Sequence, residues 1–241
     1  MIRTHDREFF KIYARVFDSQ TLSTIRQMAS RGFLNTLDFP IKTGKEGDVY
    51  RVTTKSGEHR ALKIYRIETS NFRSMQDYII GDPRFSSFRH SKRGMVYTWC
   101  QKEFRNLQDA ERAGVRVPHA YKFDKNVLLL EFIGENGVAA PLLKDVKDAD
   151  WSGVTKKLLL FIKLLYKKAG LVHGDLSEFN VMLPKAEPVM IDMAQAVKLE
   201  HPRAREFLKR DLYNLSRFAK KHGVKIDAEK EHERLVSGSS V

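Results

Sequence analysis

The 241-residue sequence has a single cysteine and no apolar run long enough to cross a bilayer. Cys100 has no second thiol to pair with, and no Cys/His cluster has the spacing of a zinc site, which fits a reducing compartment. The most apolar stretch, Leu158 to Tyr166, carries Lys163 and stops far short of the roughly 20 apolar residues a membrane span needs. Met1 to Phe10 mixes His5, Asp6, Arg7 and Glu8 with apolar residues, unlike a secretory signal. These absences predict a cytoplasmic protein with no membrane anchor. No internal repeat is visible. Nor is the chain poor in hydrophobics: 42% hydrophobic and 30% charged residues exclude disorder for the bulk of it. Acids are the scarcer charge, 30 against 43 lysines and arginines, and the net +13 attracts polyanions such as RNA, DNA, anionic lipid or nucleotide phosphates without choosing among them.

Periodicity divides the chain. Leu22, Ile25, Met28 and Ala29 recur at helical spacing behind a capping Asp18 or Ser19, and Gly32 ends the pattern, so residues 1–35 read as a helical N-terminal segment. Phe39 to Ile41, Val49 to Thr53 and Arg60 to Tyr65 alternate like strands of an antiparallel meander. Residues 69–94 lose periodicity among arginines and serines and read as a flexible basic loop. Helical spacing returns from Tyr97 to Ala113, and Val115 to Phe123 and Val127 to Phe132 again look like strands. Beyond about residue 134 helices dominate: Val154, Leu158, Phe161, Ile162 and Leu165 form one apolar stripe closed by Gly170, and another helix runs from about Pro202 to Lys221. The expected organisation is α+β, with a strand-rich half (36–133), a helix-rich half (134–226) and a disordered tail (227–241).

The chemistry concentrates in His173-Gly174-Asp175-Leu176-Ser177-Glu178-Phe179-Asn180. Phosphoryl transfer needs a carboxylate beside the incoming nucleophile and hard oxygens for Mg²⁺ close by, and an Asp and an Asn five positions apart in one loop can supply both. Val189-Met190-Ile191 then delivers Asp192, a second carboxylate for the same ion. By itself His-Gly-Asp also suits an ordinary turn, with glycine left-handed and Asp175 capping. In the strand-rich half, Lys42-Thr43-Gly44-Lys45-Glu46-Gly47-Asp48-Val49 suits a hairpin closing over phosphates, or a plain hairpin turn. Ala61-Leu62-Lys63-Ile64 sets a lysine in an apolar strand, where it needs an acidic partner. Glu103 is the first candidate and Glu111 the second.

Together Lys42 to Tyr50, Lys102-Glu103-Phe104-Arg105-Asn106-Leu107, His173 to Asn180 and Ile191-Asp192-Met193-Ala194-Gln195-Ala196-Val197 resemble the signatures of the RIO atypical protein kinases, over about Val16 to Ala219. Within that family the Asp192 to Val197 segment is similar to the first branch in its short, archaeal-like form. The resemblance implies a bilobal kinase-like fold: an antiparallel-sheet N-lobe with helices and a reduced, mainly helical C-lobe. No Ala-Pro-Glu follows Asp192, and the 49 residues after it are few for an ordinary kinase C-lobe. It further implies ATP and Mg²⁺ (or Mn²⁺), and a serine/threonine kinase or ATPase activity in small ribosomal subunit maturation, with precursor rRNA as partner. Carried over, Lys63 holds the α/β-phosphates and Glu103 orients it. Asp175 acts as base or as the acid that orients the nucleophile. Asn180 and Asp192 bind the metal, and Asp192 is also a candidate for aspartyl-phosphate. Glu131 and Ile133 offer backbone groups to adenine between Ile41, Val49, Ala61, Met182 and Ile191, and Ser86, Ser87 and Ser91 are candidate self-phosphorylation sites.

Two other readings compete. Small-molecule phosphotransferases of the aminoglycoside or choline kind have a nearly identical His-Gly-Asp loop, but they add long helices and acids that this chain lacks. A non-catalytic RNA-binding assembly factor would have no use for Asp175 beside Lys63, Asn180 and Asp192.

Overall fold

The computed structural model describes residues 2–3, 13, 16–68, 70, 72–85 and 91–238; Ser86 and Ser87 lie outside them. In chain order the elements are β1 (Ile2–Arg3), α1 (Ser19–Ser30), β2 (Thr36–Thr43), β3 (Gly47–Thr53), β4 (His59–Tyr65), α2 (Phe72–Ile79), α3 (Lys92–Arg112), β5 (Ala120–Asp124) and β6 (Val127–Glu131). They continue with β7 (Gly134–Glu135), β8 (Val138–Ala139), α4 (Trp151–Leu164), β9 (Leu171–Val172), β10 (Val181–Met182), β11 (Val189–Met190), β12 (Val197–Lys198), α5 (Ala204–Lys221) and α6 (Ala228–Ser237). They form two units: Met1–Arg73, Phe88–Phe104 and His119–Ala139 in the first, and Ser74–Ser87, Arg105–Pro118 and Ala140–Val241 in the second.

The first unit is built on an antiparallel sheet of order β1-β2-β3-β4-β6-β5. Strand alternation gives it two different faces. Tyr50 pairs with Leu62 and Leu62 with Leu129, and these side chains, with Val52, Ile64 and Val127, are buried against Leu22, Ile25, Met28 and Ala29 of α1. Asp18 starts α1 by accepting the Gln20 and Thr21 N–H groups (3.0 and 3.1 Å). Buried Asn126, between β5 and β6, donates to Thr21 Oγ1 and Tyr65 O (2.9 Å each), which ties the helix to the sheet. The opposite face carries Val49 beside Lys63 and Ala61 beside Leu130.

In the second unit α4 and α5 bury Leu158, Phe161, Ile162, Phe207, Leu212 and Leu215. Helix α4 ends in a wide turn over Leu165–Ala169 and stops at Gly170, whose φ of 61° is the left-handed conformation of a helix C-cap. The chain then forms two short antiparallel pairings, β9 with β12 and β10 with β11, of which the second matters most here.

Two expectations are corrected. Residues 69–94 do not form one loop: Phe72–Ile79 is helical, Pro83–Phe85 is a 3₁₀ turn and α3 already begins at Lys92. Within the second unit Tyr78 of α2 stacks on Phe207 (5.1 Å), and Met75 and Ile79 are buried, so tertiary packing holds a helix only two turns long. Residues 228–237 of the supposed tail are also helical. Asp227 caps α6 through Lys230 N–H (3.0 Å), Leu235 is buried, and Lys163 and Lys209 reach Glu231 and Glu229 (2.8 Å each).

Candidate active site

In the first unit, the β3–β4 register sets Lys63 opposite Val49 on the sheet face away from α1. Its Nζ lies 2.8 Å from Glu103 Oε1, the first of the two acids considered for it. Glu103 is buried on α3 and also accepts the Tyr65 hydroxyl, and Tyr65 is two residues from Lys63 on the same strand, so one carboxylate serves both. Cys100, one turn earlier on α3, is buried, and burial, reinforced by the Glu103 charge, holds its thiol well above the ordinary range. In the glycine-containing turn, buried Asp48 accepts Gly44 N–H (3.3 Å) and two bonds from Arg66 (2.8 and 2.9 Å), so this turn is braced from within. Ile41 lies at the register shift between Pro40 and Lys42, while Ala61 and Ile133 are buried. Glu131 N–H donates to His119 O (2.8 Å). Ser91 caps α3, its hydroxyl accepting Gly94 N–H (3.1 Å).

The second unit holds the oxygen-rich cluster. Gly174 has φ +81°, and a Cβ there would come within 3.2 Å of Gln195 O, so the sharp turn before Asp175 requires glycine. Asp211 of α5, completely buried, accepts Gly174 N–H (2.8 Å) and Leu176 N–H (2.9 Å), clamping the backbone on both sides of Asp175. Arg210 bonds Gly174 O and the Tyr78 hydroxyl. Asp175 Oδ2 then accepts Asn180 Nδ2 (3.1 Å) and Gln195 Nε2 (3.3 Å), while Asn180 Nδ2 also reaches Asp175 O (2.9 Å). With its amide nitrogen so engaged, Asn180 presents Oδ1 as a donor to a cation. The β10–β11 hairpin pairs Val181 with Met190, and Ile191 N–H donates to Asn180 O (2.9 Å), which brings Asp192 next to Asn180. Asp192 has φ 63° and ψ 57°, a left-handed backbone that is uncommon for residues other than glycine, asparagine and aspartate.

Burial pushes the Asp175 carboxyl above the ordinary aspartate range, and the negative charge of Asp192 adds to that, against the opposing pull of His173, Arg210 and the Asn180 bond. Among the described residues no group of three or more His, Cys, Asp or Glu is placed to hold a metal on its own. Mg²⁺ does not need one: it takes one or two carboxylate or amide oxygens and completes its shell with phosphate and water. Asn180 Oδ1 and the Asp192 carboxylate are such a set, so the residues present fit the ion.

The RIO domain family matches residues 48–233. The chain belongs to the RIO family. It is 39% identical to the RIO-type serine/threonine-protein kinase Rio1 of Haloferax volcanii, covering 98% of this chain and 81% of the relative. With the Rio1 of Methanocaldococcus jannaschii it shares 37% identity, over 97% of this chain and 80% of that one. In fold it resembles the Chaetomium thermophilum Rio2 kinase solved as an ADP/Mg²⁺–phosphoaspartate complex, with a TM-score of 0.70 at 22% identity over 91% of this chain and 70% of that one. As a RIO-type kinase the chain is a phosphotransferase with the α+β kinase-like architecture that the resemblance implied.

Of the sequence candidates in this RIO chain, the second unit gathers Asp175, Asn180 and Asp192, with Ile191 beside Asn180 and Met182 on the hairpin between the two loops. The first unit gathers Lys63, Glu103, Val49 and Ala61, with Glu131 ending the neighbouring strand. Sequence reasoning missed Asp211, Gln195, Arg210 and a structural part for Asn106. Asp211 left a readable trace, an acid on the apolar stripe Phe207, Leu208, Leu212 and Leu215. Replacing Lys63 by Ala leaves the buried Glu103 carboxylate without its ammonium, and urea unfolding should show a loss of about 3 kcal/mol. An unchanged midpoint would mean that Glu103 is satisfied without the Lys63 ammonium.

Proposed function

We propose that this chain transfers the γ-phosphoryl group of ATP to a serine or threonine hydroxyl, to its own Asp192 or to water, and that it does so during small ribosomal subunit maturation. The observation that carries the first part is the grouping of Asp175, Asn180 and Asp192, with Gln195 holding the same Asp175 oxygen as Asn180. Asp175, clamped at Gly174 and Leu176, accepts the proton of the attacking hydroxyl or water as the bond from the γ-phosphorus to the ADP oxygen breaks. Asn180 and Asp192 would hold Mg²⁺, which when bound neutralises charge on the β- and γ-phosphates.

Lys63, steadied by Glu103, serves the α/β-phosphates. With the Glu131 N–H engaged by His119 O, adenine recognition in the first unit falls to the Glu131 carbonyl and the Ile133 N–H, with Ile41, Val49 and Ala61 as apolar contacts. The second part rests on charge: the net +13 suits a partner made of phosphate, as precursor rRNA is.

The test is to incubate the purified protein with γ-labelled ATP and Mg²⁺, with and without small-subunit precursors. Label should appear on protein or as free phosphate, and precursors should change the ratio. No release and no labelling under either condition would sink the transfer reading. Turnover indifferent to precursors would sink the ribosomal one.

A further inference from the structure

Asp192 has a left-handed backbone, and side chains from α3 and from the segment after α2 are packed on the turn that follows it. Asn106, completely buried on the part of α3 that belongs to the second unit, donates Nδ2 to Met193 O and Ala196 O, both at 2.8 Å. Those two carbonyls bracket the 3₁₀ turn that follows Asp192, the same turn closed by Ala196 N–H on Met193 O. An amide rotated by half a turn would set its oxygen against both carbonyls. Arg84 fixes the sense of rotation, because its Nη2 donates to Asn106 Oδ1 (2.8 Å). Arg84 is itself locked: Nε and Nη2 engage the two oxygens of buried Asp82 (3.0 and 2.7 Å), and Nη1 lies 3.4 Å from Asp109. Asp109 in turn pairs with Lys198, just beyond the turn (2.9 Å).

We propose that Asn106 is the positioning residue of the metal-binding turn and that Arg84, through its bond to the Asn106 oxygen, sets that amide, so that the Asp82–Phe85 segment governs how Asp192 is presented to the ion. This rests on Asp192 being a Mg²⁺ ligand, as read above. Residues that orient a ligand alter metal affinity more than they alter the remaining binding groups.

Two variants test it. Asn106→Ala removes both donors. Arg84→Lys keeps a positive charge beside Asp82 but replaces the fork by one ammonium, so it serves if Asn106→Ala fails to fold. Hydrogen exchange of the 192–198 amides in metal-free protein should speed up in both variants relative to the amides of α5. The Mg²⁺ concentration at which ADP affinity is half-enhanced should rise by about tenfold. ADP affinity without Mg²⁺ should stay at the wild-type value, which a general loss of packing would not allow. Unchanged exchange in a folded variant overturns the proposal, and this arm needs no assumption about Asp192. Faster exchange with an unchanged Mg²⁺ requirement also overturns it. If, in addition, Asp192→Asn leaves the Mg²⁺ requirement of the wild type untouched, then the reading of Asp192 as a ligand has failed as well.

Discussion

Asp175→Ala should lower phosphoryl transfer by about 10³-fold, the usual scale for a positioned general base, while nucleotide affinity stays within a factor of two or so of the wild type. The expectation follows from how the carboxylate is held. Its Oδ2 is fixed by Asn180 and Gln195, and its backbone is anchored at the residues before and after it, so the side chain has one orientation in which to meet an acceptor proton. Single-turnover kinetics with equilibrium nucleotide binding measured on the same sample separate the two effects. A variant with wild-type turnover would remove Asp175 from the chemistry. The pH dependence has a definite sign. Burial and Asp192 raise the Asp175 carboxyl, so it stays protonated, and unable to accept a proton, to a pH above the ordinary aspartate value of about 3.9. The acid limb of the rate profile should therefore lie above that value.

Asp211→Ala should have the largest effect on stability, about 3–5 kcal/mol, together with loss of activity. Two buried N–H groups, of Gly174 and Leu176, lose their acceptor at once, and the turn that presents Asp175 loses its brace. Urea denaturation of the variant checks this, and a loss below about 1 kcal/mol would mean that water or a neighbouring group takes over both donors. Burial also pushes the Asp211 carboxyl up, against the opposing pull of His173, the two amides and Arg210. The native state thus holds this proton more tightly than the unfolded chain does. The contribution of the protonated acid to stability is complete below about pH 3.9 and fades as the pH rises through the native value. Measured against Asp211→Asn, which does not titrate, the wild type should lose ground across that interval.

How much of this was readable in advance depended on whether the cause was local. Helix α1 and strands β2 to β4 follow from spacing and turn chemistry, because an amphipathic stripe or an alternating run carries its own instruction. The spacing of Asp175, Asn180 and Asp192 was equally plain, since a short hairpin joins the two loops and Val181 meets Met190 within it. Helix α2 was missed because its eight residues make too weak a pattern among arginines and serines. What holds it is Tyr78 against Phe207, more than a hundred residues away in the chain. Helix α6 was mistaken for a tail because Lys163 and Lys209, which anchor it, sit on two other helices. The supports of the site were hidden for the same reason. That Asn106 meets Met193 and Ala196, or that Arg84 meets Asn106, is a fact of folding with no trace in local spacing.

The inaccessible thiol of α3 has a practical consequence. Cys100 is the sole cysteine of the sequence and lies wholly out of reach of solvent, so maleimides and similar probes find no native target on the folded protein. A cysteine introduced at exposed Phe179 or Lys185 would be the single point of attachment for a fluorophore or spin label, with no background residue to delete first.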